Sequence, residues 1–304
     1  MKNMRNRIIV LIAAILVVVA AGVVALQYSN PNATNSHKLQ VVAGENFWGN
    51  ITSQIGGDHV NVTSIISDPS VDPHLYASNA HDSAALASAS LVIKNGLGYD
   101  DFIDKLMAAA PNDTRQVLSI DNVLRISGDN PNPHLWYDIP KVSQAADAIE
   151  KALAAIDSAN TNVYAANLAT FKISLQPITD VINQIKTKYP GAPVAYTERV
   201  PGYLLEAAGL KVASPASFAS AIEEGNDPSP ADTAIMEALM TNHGVRVLLY
   251  NSQAISSVTQ HVQDLAKQSG IPVVGVTETI PTAEKTYQSW QLDQAKALLT
   301  ALGG

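Results

Sequence analysis

The stretch NVYAANLATFKISLQPITDVINQIKTK, running from Asn162 to Lys188, decides how the rest of the chain is read. Tyr164, Leu168, Phe171, Leu175, Ile178, Ile182 and Ile185 recur at spacings of 4, 3, 4, 3, 4 and 3. That rhythm puts one apolar stripe along one face of a helix. Its 27 residues at about 1.5 Å each would span roughly 40 Å. Pro177 lies inside it and lacks an N–H, so it either kinks a single helix or splits the segment into two. A helix of this length is a stiff link between the segments on either side.

Those segments share one pattern. Before the link, short β-rich runs at Leu39–Ala43, Val60–Ile66, Leu91–Lys94 and Val117–Ile120 alternate with helical spacing around Phe47–Ile55, Asn79–Ala89 and Asp100–Ala110. After it, strands are predicted at Val194–Thr197, Lys211–Ala213, Val245–Tyr250 and Val273–Val276. Helices are predicted there at Gly202–Ala208, Pro230–His243, Ser256–Ser269 and Lys285–Leu302. Such alternation produces βα units and a mainly parallel sheet. The expected fold is α/β, with one lobe over residues 38–158, a connecting helix over 159–189 and a second lobe over 190–304.

The N-terminus is of another kind. Lys2, Arg5 and Arg7 precede 19 uncharged residues, Ile8 to Leu26, and a polar tether follows at 27–37. A basic end before an apolar run directs export. Residues 1–26 read as a cleaved signal, with Val23-Val24-Ala25 as the cleavage site, or as an anchor, since about 20 apolar residues cross a bilayer. Either way the remainder works outside the cytoplasm. The chain has no cysteine, so its stability must come from its core and not from disulfides, and any anchor must be the helix itself. The formal charge is −8, and the first 26 residues carry three of the cations, leaving −11 for the exported part. An acidic surface without basic clusters argues against nucleic acid or anionic membrane as a partner.

Two of the seven histidines sit in matching contexts. Asp72-Pro73-His74-Leu75-Tyr76 and Asn132-Pro133-His134-Leu135-Trp136 both follow a predicted strand and precede a helix. Loops after strands are where open α/β sheets bind ligands. The proline before each histidine restrains the backbone that presents the imidazole. The other histidines (His37, His59, His81, His243 and His261) read as surface or structural residues, and Glu223-Glu224-Gly225 as a solvated loop.

With these loops in view, the chain resembles the cluster A-I solute-binding proteins for zinc and manganese. The resemblance rests on the two histidine loops, on Ala89-Ser90-Leu91-Val92-Ile93-Lys94-Asn95-Gly96-Leu97-Gly98, on Gly202-Tyr203-Leu204-Leu205 with Gly209-Leu210, and on Asp227-Pro228-Ser229-Pro230. It implies two (β/α)4 lobes joined by one long helix, a metal in the interlobe cleft, and two ligands from each lobe. His74 and His134 match the first two ligand positions, and the third falls on Glu198. Zinc-selective relatives usually carry histidine there and manganese-type relatives glutamate. Glu278 is the natural fourth ligand, with Thr277 the alternative register. Asp138 either orients a ligand imidazole, as carboxylates commonly do, or opens the following helix.

Two imidazoles and two carboxylates make a neutral site for a dication. Imidazole suits zinc, and carboxylate oxygens move preference toward manganese. The resemblance implies a cargo of Zn²⁺ or Mn²⁺, delivered by a monomer to the permease of an ABC importer with its cytoplasmic ATPase. Two alternatives stand beside this: a membrane-anchored metal-dependent hydrolase and a surface adhesin of the same fold. The hydrolase would need an open coordination position and a nearby base, and the sequence has no His-Glu helix motif or nucleophile elbow.

Overall fold

Val41, Val42 and Ala43 point alternately to opposite faces of one strand, and both faces are covered. Val41 and Ala43 join a core shared with the connecting helix, while Val42 joins a smaller core with Ile65, Val92 and Ile103. The second sheet repeats this: Val194 and Leu249 face the shared core, and Ala195 and Leu248 face a separate cluster with Phe218 and Met236. Strands covered on both faces are what a parallel sheet with helices on each side requires.

The computed structural model describes residues 38–304, apart from residues 70, 72, 74, 75, 77 and 78. The signal or anchor (1–26), the tether (27–37) and the ligand candidate His74 lie outside the described residues. No helix among the described residues is long and apolar enough to cross a membrane.

The first lobe runs β1 (Leu39–Glu45), α1 (Asn46–Gly56), β2 (Val60–Ile66), α2 (Ala80–Ser88), β3 (Leu91–Lys94), α3 (Phe102–Ala109), β4 (Gln116–Ser119), α4 (Ile120–Leu124) and α5 (Ile139–Ile156). The connector is α6 (Thr161–Ser174) and α7 (Gln176–Lys188). The second lobe runs β5 (Pro193–Tyr196), α8 (Gly202–Ala207), β6 (Lys211–Val212), α9 (Ala216–Glu223), α10 (Pro230–Thr241), β7 (Leu248–Asn251), α11 (Ser257–Gln268), β8 (Val273–Val276) and α12 (Tyr287–Ala301). The sheets have orders β2-β1-β3-β4 and β6-β5-β7-β8, and every pairing is parallel.

The connector is helical on both sides of a one-residue interruption at Leu175, which itself keeps helical dihedrals (φ −79°, ψ −16°). Pro177 then sits in the first turn of α7, where a missing N–H costs no helical hydrogen bond. The apolar stripe survives the break: Tyr164, Phe171, Leu175, Ile178, Ile182 and Ile185 are all buried in the shared core.

Aromatic side chains from both lobes form a continuous wall behind the cleft. Phe47 stacks on Trp136 at 4.1 Å, and Tyr137 meets Trp290 edge-on at 5.9 Å. Tyr287 donates to the Trp136 carbonyl at 2.6 Å, Tyr137 to the Thr277 carbonyl at 2.7 Å, and Trp290 Nε1 to Thr277 Oγ1 at 2.9 Å. A polar ladder runs alongside. Asn46, Asn50 and Gln54 lie at i, i+4 and i+8 on α1 and bond residues 280–288 of the second lobe.

Two features depart from the sequence reading. Helix α9 was not expected, and it carries Glu223 out of the predicted solvated loop: Glu223 is buried and forms a two-point ion pair with Arg199 at 2.7 and 2.8 Å. The short α4 was also unforeseen.

Candidate metal centre

Strand order builds one side of the centre. Because β7 lies between β5 and β8, the residues leaving these three strands emerge side by side. Glu198 follows β5 by two residues, Asn251 ends β7, and Glu278 follows β8 by two; each is 1% exposed or less. The Asn251 amide nitrogen donates to Glu198 Oε2 at 2.9 Å and to Glu278 Oε1 at 2.6 Å. Asn251 Oδ1 accepts the Gln253 N–H at 3.0 Å, which fixes the amide's orientation. Gln253 in turn holds the backbone of Glu278 and Thr279 through Oε1, at 2.6 and 3.2 Å, and donates to the Val71 carbonyl of the first lobe at 2.9 Å.

The first lobe supplies His134, which is fully buried. Its Nδ1 lies 2.6 Å from Asn132 Oδ1, which also accepts the His134 backbone N–H at 3.1 Å. Asn132 Nδ2 donates across the cleft to the Arg199 carbonyl at 2.9 Å, so the amide cannot be turned round without losing that bond. Nδ1 therefore carries a proton, which leaves Nε2 as the nitrogen turned toward the centre. Nε2 faces Glu278 Oε2 at 3.4 Å. Two donors held about 2.05 Å from a tetrahedral zinc lie about 3.3 Å apart. Tyr99 completes the surroundings by donating its hydroxyl to Glu278 Oε2 at 2.8 Å.

The fold thus gathers His134, Glu198 and Glu278 from different elements. Thr277, the alternative fourth position, has its hydroxyl engaged by Trp290. Asp138 does not orient His134. Its carboxylate caps α5 by accepting the Lys141 N–H at 3.0 Å and pairs with the Lys141 ammonium, while Asn132 takes the place by the ring. Sequence reasoning also missed Tyr99, Gln253 and Asn251. Among the described residues, no three His, Asp or Glu groups form a ready-made metal cage; the Asn251 amide stands between the two glutamates.

A second carboxyl pair lies close by. Glu45, at the end of β1, is wholly buried, and no neighbouring N–H or O–H among the described residues reaches its oxygens. Burial, then the Asp100 and Glu278 charges, pushes its pKa well above the usual carboxylate range. Burial raises Asp100 to about 6, against opposing hydrogen bonds from the Gly96 and Asn95 backbone at 2.9 and 2.6 Å. Burial thus favours the neutral form of Glu45, whose proton can be shared with Asp100. The turn supplying those N–H groups needs Gly96: its φ is +83°, and a Cβ there would sit 2.2 Å from the Asp121 carboxylate. A cavity of about 370 Å³ opens above Tyr99, lined from both lobes by Leu97, Asn130, Pro133, Arg199 and Glu223.

The family model for the periplasmic zinc-uptake complex component A matches residues 41–301. The chain belongs to this family. It is a metal-binding solute-binding protein of the ABC-importer class and not an enzyme; Mn²⁺ or Zn²⁺ is the family ligand, and a permease is the partner such a component implies. It is similar to the manganese-binding lipoprotein MntA of Bacillus subtilis, 29% identical over 145 residues, which cover 46% of this chain and about half (47%) of that protein. A manganese ABC transporter substrate-binding lipoprotein of Streptococcus gordonii is 24% identical over 302 residues, covering 94% of this chain and 92% of its own. The structure of the periplasmic zinc-binding protein TroA from Treponema pallidum shares the fold, with a TM-score of 0.74, 19% identity, and coverage of 88% of this chain and all of that one.

Proposed function

We propose that this protein captures one Zn²⁺ or Mn²⁺ outside the cytoplasm, using His74, His134, Glu198 and Glu278, and delivers it to the permease of an ABC importer. The observation that carries the ligand set is the 3.4 Å approach of His134 Nε2 to Glu278 Oε2, both fully buried. An imidazole nitrogen and a carboxylate oxygen brought this close together, both out of solvent, are a pair of donors that one cation can bridge. Glu198, tied to Glu278 through one amide, supplies the second negative charge that makes a dication site neutral.

The relatives named as lipoproteins and periplasmic proteins work outside the cytoplasm, and the same compartment is proposed here, reached through the apolar segment at 1–26. The three-part division into residues 38–158, 159–189 and 190–304 is the working frame for the capture movement. Calorimetry of the full chain tests the reading. The expected result is one dication per chain for the wild type and most of the affinity lost in His134→Ala and His74→Ala. Wild-type binding in both variants would place the site elsewhere.

A further inference from the structure

We propose that Asn251 sets the metal preference of the centre by taking one oxygen from each glutamate, leaving each carboxylate to offer a single oxygen to the cation. The proposal rests on the ligand set above and concerns a residue outside that set.

The geometry comes from the sheet. As the last residue of the strand between β5 and β8, Asn251 reaches both exits, and it is only 1% exposed. Its carbonyl oxygen is committed to the Gln253 N–H, so both hydrogens of its nitrogen are available to the carboxylates. They are spent on Glu198 Oε2 and Glu278 Oε1. The Glu278 oxygen that faces His134 is the other one, Oε2. Asn251 and the His134 ring thus address different oxygens of Glu278, Oε2 also accepting from Tyr99, and for Glu198 the oxygen not held by Asn251 is Oε1.

Donor count follows. Two imidazoles and two single carboxylate oxygens make four donors, the number zinc takes in closed sites. Manganese favours more oxygen contacts in an octahedral arrangement. It could reach that number only through a two-point carboxylate or through added waters. The Asn251 hydrogen bonds oppose the two-point mode because swinging a carboxylate round to chelate breaks a charge-assisted bond. In this way one neutral side chain tips a carboxylate-rich site toward zinc.

The test uses the full chain and its Asn251→Ala and Asn251→Ser variants, with Zn²⁺, Mn²⁺ and Co²⁺ as probes. Competition titrations should show zinc binding weakened about 10–100-fold in Asn251→Ala, in line with the loss of a group that orients ligands. Manganese should weaken less, so that the zinc-to-manganese affinity ratio falls about tenfold or more. Asn251→Ser, which keeps one donor, should fall between. Cobalt reports the coordination number directly. The wild type should give the intense visible bands of four-coordinate cobalt, and Asn251→Ala the weak bands of a higher-coordinate ion. Equal weakening of zinc and manganese, or weak cobalt bands in the wild type, would overturn the proposal; the wild-type spectrum decides even if a variant does not fold. Failure of the ligand set itself looks different: Glu278→Gln would then bind all three metals as the wild type does.

Discussion

Tyr99 and Glu278, 179 residues apart in the chain, are joined across the cleft by a 2.8 Å hydrogen bond from the phenol to Oε2. This is the same oxygen that faces His134 Nε2. The first lobe therefore grips the second at the atom proposed to bind the metal, and any opening of the cleft must break or carry that bond. Tyr99→Phe keeps the ring against Trp136, 5.0 Å away between centroids, and removes the hydroxyl alone. Losing a hydrogen bond to a charged group costs about 1.5–3 kcal/mol. Metal affinity should fall about tenfold with folding intact, as read by competition with a chelating dye; unchanged affinity would mean that Tyr99 does not position Glu278.

Glu45 and Asp100 predict how the metal-free protein responds to pH. Both carboxyls have raised pKa values in the fold. Their favourable contribution is complete below the ordinary carboxylate range, where both states are protonated. As pH rises, the unfolded chain ionises first, and stability falls through about pH 6 for Asp100 and further for Glu45. Metal-free protein should unfold at lower denaturant at pH 8 than at pH 5. Glu45→Gln should narrow that difference; parallel decline in the variant and the wild type would remove this pair as the cause.

Metal should stabilise the fold selectively. A ligand that binds only the folded state at a thousandfold excess over its Kd contributes about 4 kcal/mol, or about 10 °C in Tm for a chain of this size. Zinc or manganese should give a shift of that order and calcium or magnesium much less, by calorimetric melting. Equal shifts with calcium would indicate a generic acidic site.

The aromatic wall and the α1 ladder predict a stiff molecule. Trp290 is buried at 1% exposure between Phe47, Tyr137 and Tyr287. Trp290→Ala should cost about 3–5 kcal/mol in denaturant unfolding. Wide separation of the lobes would expose all these rings at once, so scattering profiles of metal-free and metal-loaded protein should nearly coincide. A large change in radius of gyration would mean that the wall parts on opening.

Much of the fold was legible because both sheets are buried on two faces, which writes each strand as a short apolar run. All eight predicted strands are present, three with the predicted bounds: Val60–Ile66, Leu91–Lys94 and Val273–Val276. Helix α9 was not legible, since Ala216-Ser217-Phe218-Ala219-Ser220-Ala221 is made of small residues around a single aromatic. At the candidate centre, His134, Glu198 and Glu278 were proposed from histidine spacing and family resemblance, and the fold brings the three together. Asn251 and Gln253 were not, because their roles depend on β7 lying between β5 and β8, and strand order is not a local property of sequence. Asp138 misled for a related reason. A carboxylate four residues after a candidate ligand histidine suits either helix capping or ring orientation, and only the position of Asn132 decides between them.

One dication is proposed to sit among His74, His134, Glu198 and Glu278. Crystals of the zinc-loaded protein, measured at the zinc absorption edge, test it most directly. One anomalous peak per chain is expected, about 2.0–2.2 Å from a histidine nitrogen or glutamate oxygen of each of these residues. A peak bonded to other side chains, or contact with His134 but with neither glutamate, would contradict it.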